Sequence, residues 1–455
     1  MAITSTLVTR SAHAATLTCP KSCHVRRRGT LGEYLSSQPG PIVKRILFIV
    51  FQFPPFTGSS AVQRALRFAR YLPAHGWEPV ILTATRNAYE NPNDDLLRDI
   101  PEGLSVERAF ALDTARHLGL FRRYPAFLAR PDRWMSWRYW AVPKALEIIK
   151  RYGIEAIWST YPIPTAHVIA GEVHARTGLP WIADFRDPMV LPNDPADPAL
   201  WRAYEKIEIA TVRSATRSVF TTPGTCKLYR ERYPEIPAER FGIVENGYDE
   251  EVFAGLSPDD HRAAERKRFV LLHSGAIYPL ERDPKHLFQA IRSLADEGVI
   301  TSETFKLRLR ATFHDDAIRP LVAEAGIDAF VDFEPSVPYR EALQEMFDAD
   351  ALLILQAAEV GTQIPAKLYE YLRVGKPILA LTNPAGETAA LMRRAKQQGV
   401  VPLDEPERIK AGLRELLEKW RNGVSASIEP GFIASCSRQA RTSELATLLD
   451  RVVAV

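Results

Sequence analysis

Cysteine is scarce in this chain: four residues in 455 are too few for a disulfide scaffold and fit a reducing compartment, with the cytoplasm as the expected location. A long apolar run is missing too. The most hydrophobic stretch, RILFIVFQF, falls far short of the ~20 residues that cross a bilayer and is stopped by Pro54 and Pro55. Charge of one sign is also lacking. With 58 Lys and Arg against 55 Asp and Glu, the net charge of +3 gives no global field for nucleic acid, so any basic site has to be local. No fixed-period repeat argues for a solenoid. Cys19, Cys23 and His24 have no second ligand pair at zinc-finger spacing, and no continuous apolar segment precedes SAHAAT. Residues 1–40 therefore read as a disordered extension or an over-long gene start.

What is present is an ordinary globular composition, 46% hydrophobic and 25% charged, in a chain long enough for two cores. From Arg45 onward, short apolar strands alternate with helical stretches, the pattern of parallel sheets covered on both faces. RILFIVF, PVILTA, EAIWST, PWIADF and RSVFTT make one series. After the first of these, Val62, Ala65, Leu66, Ala69 and Leu72 lie at helical spacing. FVLLHSG, FKLRLRA, FVDFE, ALLILQ and PILALT make a second series. The polar stretch AGLSPDDHRAAERK separates the two and places a boundary near Leu256. The expectation is an α/β chain with doubly wound domains at 41–255 and 256–430, followed by a closing helix within 431–455.

Ligands of open parallel sheets bind at the carboxyl ends of the strands, so two such domains in series imply a cleft between them. The loop PPFTGSS carries Gly58 ahead of a helix whose free N–H groups suit an anion, although Ser59 and Ser60 also fit a plain helix cap. DFRDP sets Asp184, Arg186 and Asp187 together at a strand end. Two carboxylates flanking a guanidinium can orient a sugar hydroxyl or accept its proton, and they can equally form a structural salt bridge and turn. In HSGAIYPLERDP, Gly275 permits close backbone approach, and Arg282 offers a planar charged fork to a diphosphate or simply solvates the surface. Lys367 and Glu370 follow Pro365 on the first turns of a helix. There they suit a phosphate and a ribose diol, or else form a surface ion pair.

FRRYPAFLARPDRWMSWRYW, residues 121–140, interleaves basic and aromatic side chains as membrane-surface segments do. Trp134, Trp137, Ala141, Ala145 and Ile148 nevertheless share one helical stripe, which favours burial. His167 in TAHVIAG stands near a helix start, either facing the cleft or buried and hydrogen-bonded.

Taken in order, PPFTGSSAVQRALRFARYLPAHGWEPVILTA, STYPIPTAHVIA with WIADFRDP, ENGYDEEVF, HSGAIYPLERDP and IPAKLYEYLRVGKPILAL resemble the GT-B glycosyltransferases, more narrowly the family 4 type. The resemblance spans nearly everything from Arg45 to the end. It implies two Rossmann-like domains facing a cleft, an acceptor-binding first domain, a donor-binding second domain and a last helix crossing back. It also implies that Arg282 and Lys367 contact the diphosphate of a nucleotide sugar and that Glu370 holds the ribose. Val337, Pro338 and Tyr339 fall where such enzymes grip the base, and Gly58 would line the acceptor side. Transfer to a hydroxyl with retention and without a metal or other cofactor is the implied chemistry, with Asp187 as first choice on the acceptor side.

Many members carry two glutamates seven residues apart, but here Thr362 stands where the first would be and Glu359 lies three residues early. Surface polysaccharide or lipid-linked glycan synthesis at the inner face of the membrane fits the resemblance. A nucleotide-sugar epimerase or hydrolase, and a binding scaffold without turnover, are the rival readings.

Overall fold

The computed structural model describes residues 43–57, 60–119, 124–258, 268–278, 282–424 and 427–454. The expected N-terminal extension, Gly58, residues 121–123 of the aromatic basic segment and residues 259–267 of the polar join lie outside them.

Seven described strands form the first sheet: β1 (Lys44–Ile49), β2 (Trp77–Ala84), β3 (Ser105–Ala109), β4 (Ala156–Thr160), β5 (Trp181–Arg186), β6 (Arg217–Phe220) and β7 (Phe241–Ile243). Their order is β3-β2-β1-β4-β5-β6-β7, and every pairing is parallel. Six more form the second: β8 (Phe269–Ser274), β9 (Phe305–Arg310), β10 (Val331–Glu334), β11 (Ala351–Leu355), β12 (Ile378–Leu381) and β13 (Val400–Val401), in the order β10-β9-β8-β11-β12-β13 and again parallel. The central strands are buried on both faces, which is why β1 and β11 read as unbroken apolar runs rather than alternating ones.

Helix Ser60–Tyr71 covers the first sheet with the expected stripe, Val62, Ala65, Leu66 and Ala69, all buried, and Leu72 continues it. Helix Trp137–Tyr152 likewise buries Trp137, Ala141, Ala145 and Ile148 against that sheet's other core, with Trp134 packed just ahead of it. The last helix, Arg438–Val453, packs on the first sheet. Its Leu445, Ala446, Leu449 and Val452 share a core with Ile46, Phe48, Phe68 and Trp158.

Polar contacts join the half of the chain carrying the first sheet to the half carrying the second. Glu245, 7% exposed, accepts from Arg394 at 2.9 Å and Arg441 at 3.1 Å, and so ties the join to a second-half helix and to the closing helix. Across the cleft, the Thr222 and Thr225 hydroxyls donate to the Thr362 carbonyl at 2.6 and 3.2 Å.

Candidate functional site

Strand β8 ends in His273 and Ser274, with Gly275 next, beside the start of helix Lys367–Val374. His273 is buried, and its Nδ1 lies 3.0 Å from the Leu353 carbonyl. A carbonyl only accepts, so Nδ1 carries the proton and Nε2 offers a lone pair. That lone pair faces Lys367 Nζ at 3.1 Å. Burial and the adjacent Lys367 cation hold His273 well below the usual histidine range, so it stays neutral. Lys367 is pushed down to about 7, first by burial and then by the Arg282 cation, with Glu370 acting the other way. The result is an ammonium near half charge at neutral pH.

Gly275 makes this approach feasible. Its φ is +102°, and a Cβ built there would meet Lys367 Nζ at 3.2 Å. Arg282 reaches the same strand end: its guanidinium donates to the Ala276 carbonyl and stacks 4.9 Å from the Tyr278 ring.

The helix begins at Lys367 rather than at Pro365, which sits in the preceding turn and accepts from the Leu368 N–H. Glu370, one turn in, accepts from the Tyr339 hydroxyl at 2.6 Å. Burial raises its carboxyl above the usual range. Tyr339 opens helix Tyr339–Asp348 after β10, with Pro338 capping it and Val337 partly buried just before. The structure thus brings Gly275, Arg282, Lys367, Glu370 and Tyr339 to the carboxyl ends of the second sheet. Thr362 stands on the cleft-facing loop but is bound to Thr222 and Thr225 through its backbone, and its own buried hydroxyl has no partner among the described residues. Glu359 is exposed in a short turn of helix nearby.

In the first half, the two DFRDP carboxylates part company. Asp184 is fully buried and grips Arg64 bidentately, with both N···O distances at 2.9 Å, while Thr160 donates to it at 3.0 Å. Arg64 is also buried and donates further to the Val244 and Glu245 carbonyls. Asp184 therefore holds helix Ser60–Tyr71 against the sheet, and its expected access to an acceptor hydroxyl is missing in this arrangement. Asp187 is partly exposed, and burial raises its carboxyl while the Arg186 cation opposes the shift. Arg186, in the left-handed region at φ +64°, donates to the Tyr161 carbonyl at 3.2 Å. His167 is buried rather than cleft-facing. Its Nδ1 meets the Ser159 hydroxyl at 2.8 Å, its ring packs on Phe185, and burial pushes it down to about 4.

Sequence reasoning missed His273, Arg64 and Arg438. His273 had a readable signal, a polar residue closing an otherwise apolar strand, whereas Arg64 looked like the solvated face of a helix. Arg438 gave none, because what surrounds it comes from both halves.

Residues 60–247 match the glycosyl transferase 4-like domain family. Curated proteins give no match in sequence. Among solved structures, the chain is similar to sucrose-phosphate synthase from Thermosynechococcus elongatus, at 14% identity and a TM-score of 0.64 over 90% of this chain and 99% of that one. It is also similar to Anabaena HepE in complex with UDP and glucose, at 14% identity and 0.63 over 90% and 100%. A third is WaaG, a glycosyltransferase involved in lipopolysaccharide biosynthesis, at 15% identity and 0.58 over 90% and 98%. At these identities the structural likeness shows the fold, and the family match shows the domain. The two parallel sheets and the helix crossing back thus have the GT-B fold, and within it residues 60–247 carry a domain that matches the glycosyl transferase 4-like family.

Proposed function

We propose that the protein transfers a sugar from a nucleoside diphosphate sugar to an acceptor hydroxyl. The observation that carries this reading is the meeting of Lys367, Arg282 and the open backbone of Gly275 at the end of β8, with Glu370 one turn further along the helix. Two cations and a helix N-terminus can take the charge that develops on a departing diphosphate, and a carboxylate can accept from a ribose diol. Anabaena HepE, which shares the fold, is described in complex with UDP and glucose, which supports the same class of donor here. We assign the acceptor side to the first half with Asp187 as proton acceptor, retention as the stereochemical outcome, and charge stabilisation without a metal.

The membrane-facing expectation draws support from Phe127, Tyr139 and Trp140, at 68%, 69% and 44% exposure, on the segment that follows the first sheet's edge. Among the described residues no helix is long and apolar enough to cross a membrane. An inner-leaflet glycan acceptor is the reading that uses this surface.

A panel of nucleotide sugars titrated into the full chain, followed by assays of nucleotide release and of transfer, tests the function. Tight binding of one donor with acceptor-dependent release of nucleotide is the expected result. Epimerised donor, or binding with no turnover across a broad acceptor panel, would replace this reading. Gly275→Ala is expected to weaken the selected donor roughly tenfold, since a Cβ in left-handed backbone costs about 1–2 kcal/mol and also crowds Lys367. Equal donor affinity in the variant would move the diphosphate away from this strand end.

A further inference from the structure

Arg438 opens the closing helix and is 5% exposed, yet among the described residues it forms no ion pair, and its buried Nη1 has no hydrogen-bond partner. A buried guanidinium without a direct ion pair and with an unbonded nitrogen is costly, and proteins seldom keep one without use. It lines a cavity of about 480 Å³ between the halves, together with Gln63 and Arg67 from the first half and Tyr339, Arg340 and Glu370 from the second.

The other charges there are engaged or distant. Arg67 pairs with Asp249 at 2.7 Å, Arg340 donates to the Val252 and Ala254 carbonyls, and Glu370 accepts from Tyr339. Asp99 lines the same cavity and is not ion-paired to Arg438. Burial, with repulsion from Arg64 and Arg186 and against attraction from Tyr339 and Glu370, brings Arg438 down to about 10, so it remains a cation at neutral pH. Arg64 has its charge matched by Asp184, whereas Arg438, among the described residues, has no ion pair and feels the longer-range attraction of Glu370.

We propose that Arg438 is an anion-binding residue of the cleft that takes a phosphate or carboxylate group carried by the acceptor, so that the protein glycosylates an acidic substrate. The assignment to the acceptor rests on the glycosyltransferase reading above. The closing helix packs on the first sheet, and Arg64 and Arg186 belong to that half, whereas Arg282 and Lys367, the residues proposed for the donor diphosphate, stand at the end of β8. A planar guanidinium suits either oxyanion, and such a charged contact is worth roughly a 10- to 100-fold gain in affinity.

The test uses the full chain saturated with UDP and calorimetric titration of glucose 6-phosphate, glucuronate and glucose. At least one acidic sugar should bind roughly tenfold or more tightly than glucose, and the two acidic arms tell a phosphate from a carboxylate. Arg438→Gln should erase that preference, leave UDP affinity unchanged and melt at the same or a higher temperature, because it removes an unmatched buried charge. Three sugars bound alike by the wild type would overturn the proposal. So would a lower melting temperature with the preference intact, which would mark Arg438 as structural, or a loss of UDP affinity, which would give the anion to the donor. If the wild type binds neither UDP nor any other nucleoside diphosphate, the glycosyltransferase reading fails instead. Inorganic phosphate titrated into the free chain then decides the arginine: weaker binding by Arg438→Gln supports an anion site, and equal binding removes it.

Discussion

Lys367→Ala is expected to lower the rate of sugar transfer by roughly 10²- to 10³-fold, the loss that follows removal of one preorganised group aimed at developing charge. Lys367 Nζ is held by the neutral His273 on one side and left room by Gly275 on the other, so its direction is set before any donor arrives. The effect should fall mainly on kcat, because the diphosphate gains most charge as the sugar departs and Arg282 still binds its ground state. Lys367→Arg should not restore the rate, since a planar guanidinium is too large for a place where a single added Cβ would already stand 3.2 Å away. Folding should survive both changes, as the ammonium is destabilised by its burial rather than matched by an ion pair. A variant that transfers sugar at the wild-type rate would take Lys367 out of the site.

The same lysine ties donor binding to pH. In the free protein its pKa lies at about 7, below the ordinary lysine value, and a bound diphosphate replaces Arg282 repulsion with attraction and raises it. Donor binding therefore takes up a proton, little at pH 6 where the ammonium is already charged and close to one at pH 8. Apparent affinity accordingly falls toward about tenfold per pH unit above pH 7. His273 remains neutral throughout this window and contributes nothing. Calorimetry of Lys367→Met in buffers of different ionisation enthalpy should show the uptake abolished.

Much of this was legible before any coordinates. The central strands announced themselves because burial on both faces demands continuous apolar runs, and the helix after ALLILQ was marked by the Pro, Lys and Glu at its start. Three strands went unread. β3 and β7 end the first sheet and β13 ends the second, and an edge strand with one neighbour needs neither length nor an apolar face. The residues proposed for the donor side stood out in the sequence because one loop and one helix start carry them. The first half was harder: DFRDP shows two similar carboxylates, and only the position of Arg64, 120 residues earlier in the chain, separates them. Thr362 is the subtler case. Its side chain breaks the glutamate pattern, and its backbone instead receives two hydroxyls from across the cleft, a use that no side-chain motif records.

That separation of the two carboxylates yields the second large prediction. Asp184→Ala should cost about 3–5 kcal/mol of stability, the penalty for leaving one member of a buried ion pair uncompensated. Arg64 would keep its hydrogen bonds to the Val244 and Glu245 carbonyls and to Asn246, but its charge, 1% exposed, would lose the carboxylate it is paired with. Against a typical total of about 5–15 kcal/mol, this is enough to lower the melting temperature sharply. Asp187→Asn should do the reverse. Among the described residues Asp187 has no ion pair, and burial already disfavours its charge, so a neutral amide should leave melting unchanged or raise it. Transfer to the acceptor should nonetheless fall by about 10²-fold or more if this carboxylate receives the acceptor proton, while donor affinity holds. Thermal melts and transfer rates on the two variants distinguish the roles. If Asp184→Ala melts like the wild type and loses transfer, the acceptor role belongs to Asp184, and the bond to Arg64 is one that a bound acceptor must break.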